Sequence, residues 1–332
     1  MKQLSIISGL MVLMVYSGAY GGGLEHALKA AEKNPKLKNL YGAVVMKNGS
    51  VIAEKYYNGW EREEPVNIKS AAKSILSALI GIAIKDGTLS GLDFPVASAF
   101  PQFIGKEEKL KKMITLKHLL TMTSGLESMS KKNFYGWSQS IDPLKDAIKA
   151  KMLYSPGSKY SYSTSDSHIL AGLLAQYCGK DLLDYAKEKL FTPLEIECVK
   201  WEKSRTGQYW GGSNLYLKAY DLAKIGQLFL NGGRWKGKQV VPPQWVVQST
   251  LKQVAPKLWS PFPLEGYGYL WWLISIDGKH AFAAWGHGGQ YLIVIPAKKI
   301  VLAVVSDWNA GYSKPYYYEL AVFIKSILKN VQ

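Results

Sequence analysis

Cysteine is almost missing from this chain of 332 residues: Cys178 and Cys198 are the only two. Two thiols close one bridge at most, so a buried core and not a disulfide framework must hold the fold. The five histidines fall into no HExxH spacing and the cysteines into no CxxC, so no metal and no cofactor is expected. Acidic residues are scarce beside basic ones, 25 against 41, for a net charge of +16. The lysines are scattered and no nucleic-acid-binding motif accompanies them, so the expectation is a basic solvated surface with no nucleic-acid partner. A loose association with an anionic cell envelope is what such a charge allows. The apolar run from Leu4 to Tyr16 is too short to span a bilayer. It follows Lys2 and ends in the small residues Ser17-Gly18-Ala19, which is the pattern of a cleavable signal peptide over residues 1–19 and predicts export, periplasmic or secreted. No repeat and no low-complexity tract is present. With 48% hydrophobic and 20% charged residues, the remainder reads as globular.

Two β-rich runs, Tyr41 to Met46 and Val51 to Tyr57, flank Asn48-Gly49, a strong hairpin signal. Four more strand candidates lie far downstream: Tyr267 to Ile276, His280 to Trp285, Tyr291 to Ile295 and Ile300 to Ser306. Between the two groups the pattern is helical at Leu116 to Met122, Pro143 to Lys151, Ser167 to Tyr177, Asp181 to Leu190 and Ala219 to Leu230. Strands from both chain ends with helices between them predict an α+β fold: an antiparallel sheet flanked by helices, with a helical insertion lobe. One catalytic unit over 24–332 is expected, an α/β lobe from about 24–85 and 200–332 and a helical lobe from about 86–199. A site then falls at the seam of the lobes.

Chemistry concentrates at Ser70-Ala71-Ala72-Lys73. The run Ser70 to Lys85 repeats apolar residues at 72, 75, 76, 79, 80, 83 and 84, which is helical spacing. Residues three apart share a helix face, so Lys73 reaches the Ser70 hydroxyl. An apolar setting lowers a lysine's pKa, giving a nucleophile beside a base. S-x-x-K is by itself a weak pattern, equally readable as a polar helix start and one surface lysine.

A second block, Pro156-Gly157-Ser158-Lys159-Tyr160-Ser161-Tyr162-Ser163-Thr164 leading into Leu170-Ala171-Gly172, makes it specific. With Ser70-x-x-Lys73 it resembles the P-G-x4-Y-S-N…L-L-G block of β-lactamase-related serine hydrolases, which include class C β-lactamases, D-Ala-D-Ala carboxypeptidases, family VIII esterases and 6-aminohexanoate-dimer hydrolases. Thr115 to Gly125 (TLKHLLTMTSG) and Tyr220 to Gly233 (YDLAKIGQLFLNGG) resemble further segments of that family, in the expected order. The resemblance implies a β-lactamase/transpeptidase-like fold and an acyl-enzyme on Ser70. Lys73 and Tyr162 then share general-base and general-acid work, and a tyrosine beside a cationic lysine is expected to have a lowered pKa. Two departures bear on substrate. Thr164 stands where the family often has asparagine, and Trp285-Gly286-His287-Gly288-Gly289-Gln290 stands where lactam-recognising members carry K-T-G. A neutral histidine offers one donor where lysine offers a charge. The second oxyanion donor is the backbone N–H of Gln290 if His287-Gly288-Gly289 replaces K-T-G, or that of His287 if the strand ends at Gly286. His26, His118, His168 and His280 read as structural. Of the aromatics Trp210, Tyr216, Trp259, Tyr267, Tyr269, Trp271, Trp272 and Trp285, most are expected in the core. The function expected is a serine hydrolase acting on a small-molecule ester, amide or peptide. The alternatives are a carboxypeptidase or β-lactamase acting on cell-wall-like substrates, and a non-catalytic envelope binder.

Overall fold

The computed structural model describes residues 22–331 except 106, 107 and 198, together with Met14–Val15. Most of the expected leader over 1–19, and Cys198 with any Cys178 pairing, lie outside the described residues.

Short β-rich runs build one antiparallel sheet from both chain ends, as expected. Its strands are β1 (Leu40–Lys47), β2 (Ser50–Tyr56), β3 (Leu264–Tyr267), β4 (Trp272–Ile276), β5 (Lys279–Gly286), β6 (Gln290–Ile295) and β7 (Ile300–Ser306). The spatial order is β2-β1-β7-β6-β5-β4-β3, and Met14–Val15 pair with Glu54 and Ala53 at the β2 edge. Asn48 and Gly49 both take positive φ, 51° and 85°, which is what a two-residue turn matched to strand twist demands. Every residue of β6 and β7 is buried. Their continuous apolar runs follow from cover on both faces. On one face lies α4 (Ala219–Leu230), where Gly226 lets the helix touch Val301 and Leu292. On the other lie α1 (Gly22–Ala30) and α5 (Lys314–Lys329), the latter seating Leu320 within 3 Å of where a Gly289 Cβ would stand.

The expected single strand over 267–276 is instead two, β3 and β4, paired antiparallel. Gly268 causes the break: a Cβ there would lie 2.0 Å from Ser249 O, and Leu270 turns the chain at φ 62°. The helix expected over 70–85 begins one residue earlier, as a 3₁₀ turn Lys69–Ala71 that continues into α2 (Ala72–Lys85). Residues 72–83 of α2 are all buried, so this helix is a core element. A ring packs even against its glycine, since a Gly81 Cβ would meet Trp245 at 2.3 Å. Among the described residues of 86–199 the elements are helical, among them α3 (Thr164–Tyr177), and β pairing is confined to the isolated bridges Pro95–Thr115 and Leu126–Met152.

Candidate active site

Three short stretches meet at the start of α2. Val66–Asn67 pairs with Tyr216–Leu217, and Ile68 N–H donates to Leu215 O at 2.9 Å. This fixes the chain that leads into Ser70. The end of β5 closes on the same turn from the sheet side: a Gly286 Cβ would stand 2.2 Å from Ile68 O, so only glycine fits. Tyr162 arrives from the segment before α3.

Lys73 is 1% exposed, and its Nζ donates to Ser70 Oγ and to Gly212 O, each at 2.9 Å. Both partners are neutral. Burial therefore dominates and holds the Lys73 pKa down at about 7, so a neutral amine is available near neutrality. The Tyr162 ring stands 5.1 Å from Lys73 Nζ and stacks on Trp272 at 5.6 Å; its hydroxyl lies near enough to the Ser70 side chain for that group to favour the ionised phenol. Contrary to expectation, the Tyr162 pKa is raised, to about 12, because burial outweighs the effect of Ser70. A lysine that is itself largely neutral lends no charge to pull a phenol down. Lys73 is thus the group able to accept a proton and Tyr162 the one able to give one.

Ser70, Lys73 and Tyr162 therefore meet, as the Ser70–Lys73 spacing and the resemblance of the Tyr162 block imply. His287 opens the turn after β5 at the same edge; it is solvent-exposed, and partial burial with the Lys69 charge pushes its imidazole pKa down, favouring the neutral ring. Gln290 and Thr164 are engaged elsewhere. Gln290 is fully buried; its Nε2 donates to Ser306 O at 2.8 Å and its Oε1 accepts from Ser306 N–H at 3.2 Å. The Thr164 hydroxyl bonds to Ser130 Oγ at 3.0 Å. Ending β5 at Gly286 favours the His287 N–H over that of Gln290 as the donor facing Ser70. His168 is buried between Trp137 and Trp210, His118 caps a helix through Thr115, and His280 pairs with Glu265 at 2.5 Å. Tyr267, Tyr269, Trp210, Trp271 and Trp272 are buried, whereas Trp259 and Trp285, 6.5 Å apart, and Tyr216 stay partly open.

Sequence reasoning missed Gly212. A Cβ there would lie 2.8 Å from Lys73 Nζ and 2.3 Å from Ser167 Oγ, so the lysine's second bond depends on a missing side chain. The Gly211-Gly212 pair was the available signal for close backbone approach.

A serine and a buried amine where a core helix begins, set against the end of an antiparallel sheet strand, form the architecture of the β-lactamase-related serine hydrolases. The Beta-lactamase family matches residues 36–322, and the chain belongs to it. It is 24% identical over 253 residues to "Putative penicillin-binding protein PbpX" of Bacillus subtilis (strain 168), covering 64% of this chain and 62%, less than two thirds, of that protein. It is 21% identical over 283 residues to "6-aminohexanoate-dimer hydrolase" of Paenarthrobacter ureafaciens, covering 80% and 72% of the two chains. Among solved structures, "Putative 6-aminohexanoate-dimer hydrolase from Bacillus anthracis" shares the fold with a TM-score of 0.75 at 23% identity, covering 88% of this chain and 80% of that one.

Proposed function

We propose that this chain is an exported serine hydrolase that cleaves an ester or amide bond of a small molecule through an acyl-enzyme on Ser70. The observation that carries it is the 2.9 Å contact between Ser70 Oγ and a fully buried lysine whose pKa is about 7. Neutral Lys73 accepts the Ser70 proton while Oγ attacks the carbonyl carbon. The oxyanion is met by the backbone N–H groups of Ser70 and His287. As the carbonyl re-forms, the bond to the leaving group breaks. That group departs with the Tyr162 hydroxyl proton, and the Lys73 ammonium then returns a proton to the Tyr162 phenolate, which leaves Lys73 neutral again. Water then attacks the acyl-enzyme, gives its proton to the Tyr162–Lys73 pair, and the acid leaves with Ser70 restored. No step calls on a cofactor.

The amide relatives support this reading, as the 6-aminohexanoate-dimer hydrolase is named for an amide substrate. Export rests on the Lys2, Leu4 to Tyr16 and Ser17-Gly18-Ala19 sequence, and the excess of basic residues suits loose envelope association. Intact-mass analysis after exposure to a fluorophosphonate tests the chemistry: one adduct is expected, lost in Ser70→Ala, and an adduct that survives the substitution refutes it. N-terminal sequencing of the secreted or periplasmic protein tests export; Met1 retained in a cytoplasmic pool refutes that part.

A further inference from the structure

We propose that Lys69 and His287 form an anion site beside Ser70, so that the preferred ester or amide carries a carboxylate near its scissile bond. The inference rests on the Ser70 acyl-enzyme reading and names its substrate class. The starting observation is a cation without a counter-ion. Lys69 directly precedes the nucleophile and is held at φ 48°, a backbone state that non-glycine residues seldom adopt. Its N–H is tied to Asn67 Oδ1 at 3.0 Å. The side chain is half-buried, and among the described residues its ammonium makes no ion pair. Withdrawal from water pushes its pKa down, so the charge is held at a cost.

The carboxylate that does feel Lys69, Glu202, is already engaged. Tyr216 Oη donates to its Oε1 at 2.9 Å, Asn214 Nδ2 to its Oε2 at 3.0 Å, and Lys200 Nζ pairs with it at 3.0 Å. Lys73 is no substitute anion binder, because its Nζ is committed to Ser70 and Gly212. On the sheet side, Gly286 brings the end of β5 against Ile68, and the next residue is His287, close enough to Lys69 for its imidazole to respond to that charge. The turn is held in place: Gly288 N–H donates to Tyr317 Oη at 2.9 Å, and a Gly288 Cβ would strike Asp307 O at 2.7 Å. One ammonium and one neutral N–H donor thus belong to the residues that follow Ile68 and Gly286, where the chain leading into Ser70 meets the end of β5, a set matched to the two oxygens of a carboxylate.

Matched substrates test this on both sides of the scissile bond. The first pair is 4-nitrophenyl hydrogen glutarate and its neutral methyl ester; the second is the butyrate ester of 4-hydroxybenzoate and that of 4-hydroxybenzamide. The ratio of kcat/KM, charged over neutral, should exceed tenfold in at least one pair for the unmodified protein, and added salt should lower it. Lys69→Met should cut that ratio at least tenfold, and Lys69→Arg should keep most of it. Ratios near one in both pairs, or a ratio that Lys69→Met leaves intact, overturn the anion site while a Ser70 acyl adduct, read by intact mass, still stands. No acyl adduct from any of the four esters overturns the Ser70 reading and the anion site with it.

Discussion

Two core helices of this protein carry a buried lysine three residues after a polar side chain, and the polar residue decides what each lysine is for. On α4, Lys224 follows Asp221; the two pair at 3.0 Å, and Nζ also donates to Glu195 O at 2.7 Å. At α2, Lys73 follows Ser70, and its partners are a hydroxyl and a carbonyl. Spacing, burial and helix context are alike. A carboxylate three residues back supplies a counter-charge and makes a structural pair, whereas a hydroxyl leaves the amine to lose its proton and become a base. The reactivity proposed for Ser70 thus rests on a charge partner withheld.

The largest effects break the α2 arrangement outright. Ser70→Ala should abolish labelling and turnover, and Lys73→Ala or Tyr162→Phe should each cost several orders of magnitude in rate. Because the three act as one proton-transfer unit, the Lys73→Ala/Tyr162→Phe double variant should be little slower than either single one. Single-turnover acylation checks this, and near-normal rates in Ser70→Ala would refute the mechanism.

Stability offers the sharper contrast, since the two lysines should respond with opposite sign. Lys224→Met strands Asp221, whose carboxyl burial already pushes up, and should destabilise by about 3–5 kcal/mol. Lys73→Met removes an amine whose folded pKa, about 7, lies below the unfolded value near about 10.4. Between those two values the unfolded chain holds a proton that the folded chain lacks, so the Lys73 contribution to stability improves as pH rises across that window. Set against two lost hydrogen bonds of about 1 kcal/mol each, Lys73→Met should stabilise by on the order of 1–3 kcal/mol at pH 7, with the gain fading toward pH 10. Chemical denaturation of both variants at pH 7 and pH 9.5 measures it; two destabilised variants would break the comparison.

How much of this was legible beforehand follows the same line. Ser70, Lys73 and the sheet strands announce themselves through local periodicity, and Tyr162 through the block around it. What sequence could not carry is long-range or environmental. Gly212 meets Lys73 through a backbone carbonyl 139 positions away, and no side-chain pattern encodes that. The direction of the Tyr162 shift depends on burial by Trp272 and its neighbours, which proximity to a lysine does not reveal. Gln290 looked available because its backbone N–H follows a glycine-rich turn, yet the residue opens β6 opposite Gly286 and its side chain is bound to Ser306. The break at Gly268 was hidden because the aromatic residues around it read as one continuous strand, while the contact that forces the turn comes from Ser249.

A smaller effect concerns substrate choice. Position 287 gives a neutral donor and not a charge, and the Thr164 hydroxyl is already bonded to Ser130, so neither serves a bicyclic lactam as K-T-G and asparagine do. The difference between a charge-assisted and an ordinary hydrogen bond is worth roughly 1.4–3 kcal/mol, or about ten- to a hundredfold in rate. Hydrolysis of 4-nitrophenyl hydrogen glutarate, whose flexible carboxylate can be placed by Lys69, should therefore exceed that of nitrocefin, whose carboxylate is fixed by its ring, by about that factor in kcat/KM. A tenfold advantage for nitrocefin would refute this reading of positions 287 and 164.

The smallest effect is about tenfold per pH unit, and it tests the withheld charge partner most directly. Only neutral Lys73 can take the Ser70 proton, so kcat/KM for a neutral ester should climb with pH and level off above about 7, the value that burial gives this amine. The group that loses activity at high pH is Tyr162, whose proton is needed by the leaving group and whose pKa of about 12 leaves a wide plateau. Two other groups near the site compete for the ascending limb. His287 has its pKa pushed down and would place a limb below its ordinary value. The buried carboxyl of Asp166, raised to about 8 and bonded to Ser124 Oγ at 3.1 Å, would place one slightly higher. Temperature separates the carboxyl from the nitrogen bases: an ammonium or imidazolium gives up its proton endothermically, so its limb moves to lower pH on warming, whereas a carboxyl limb stays almost still. A limb that ignores temperature would assign the titration to Asp166, and Lys73 would then be cationic and as much a structural lysine as Lys224.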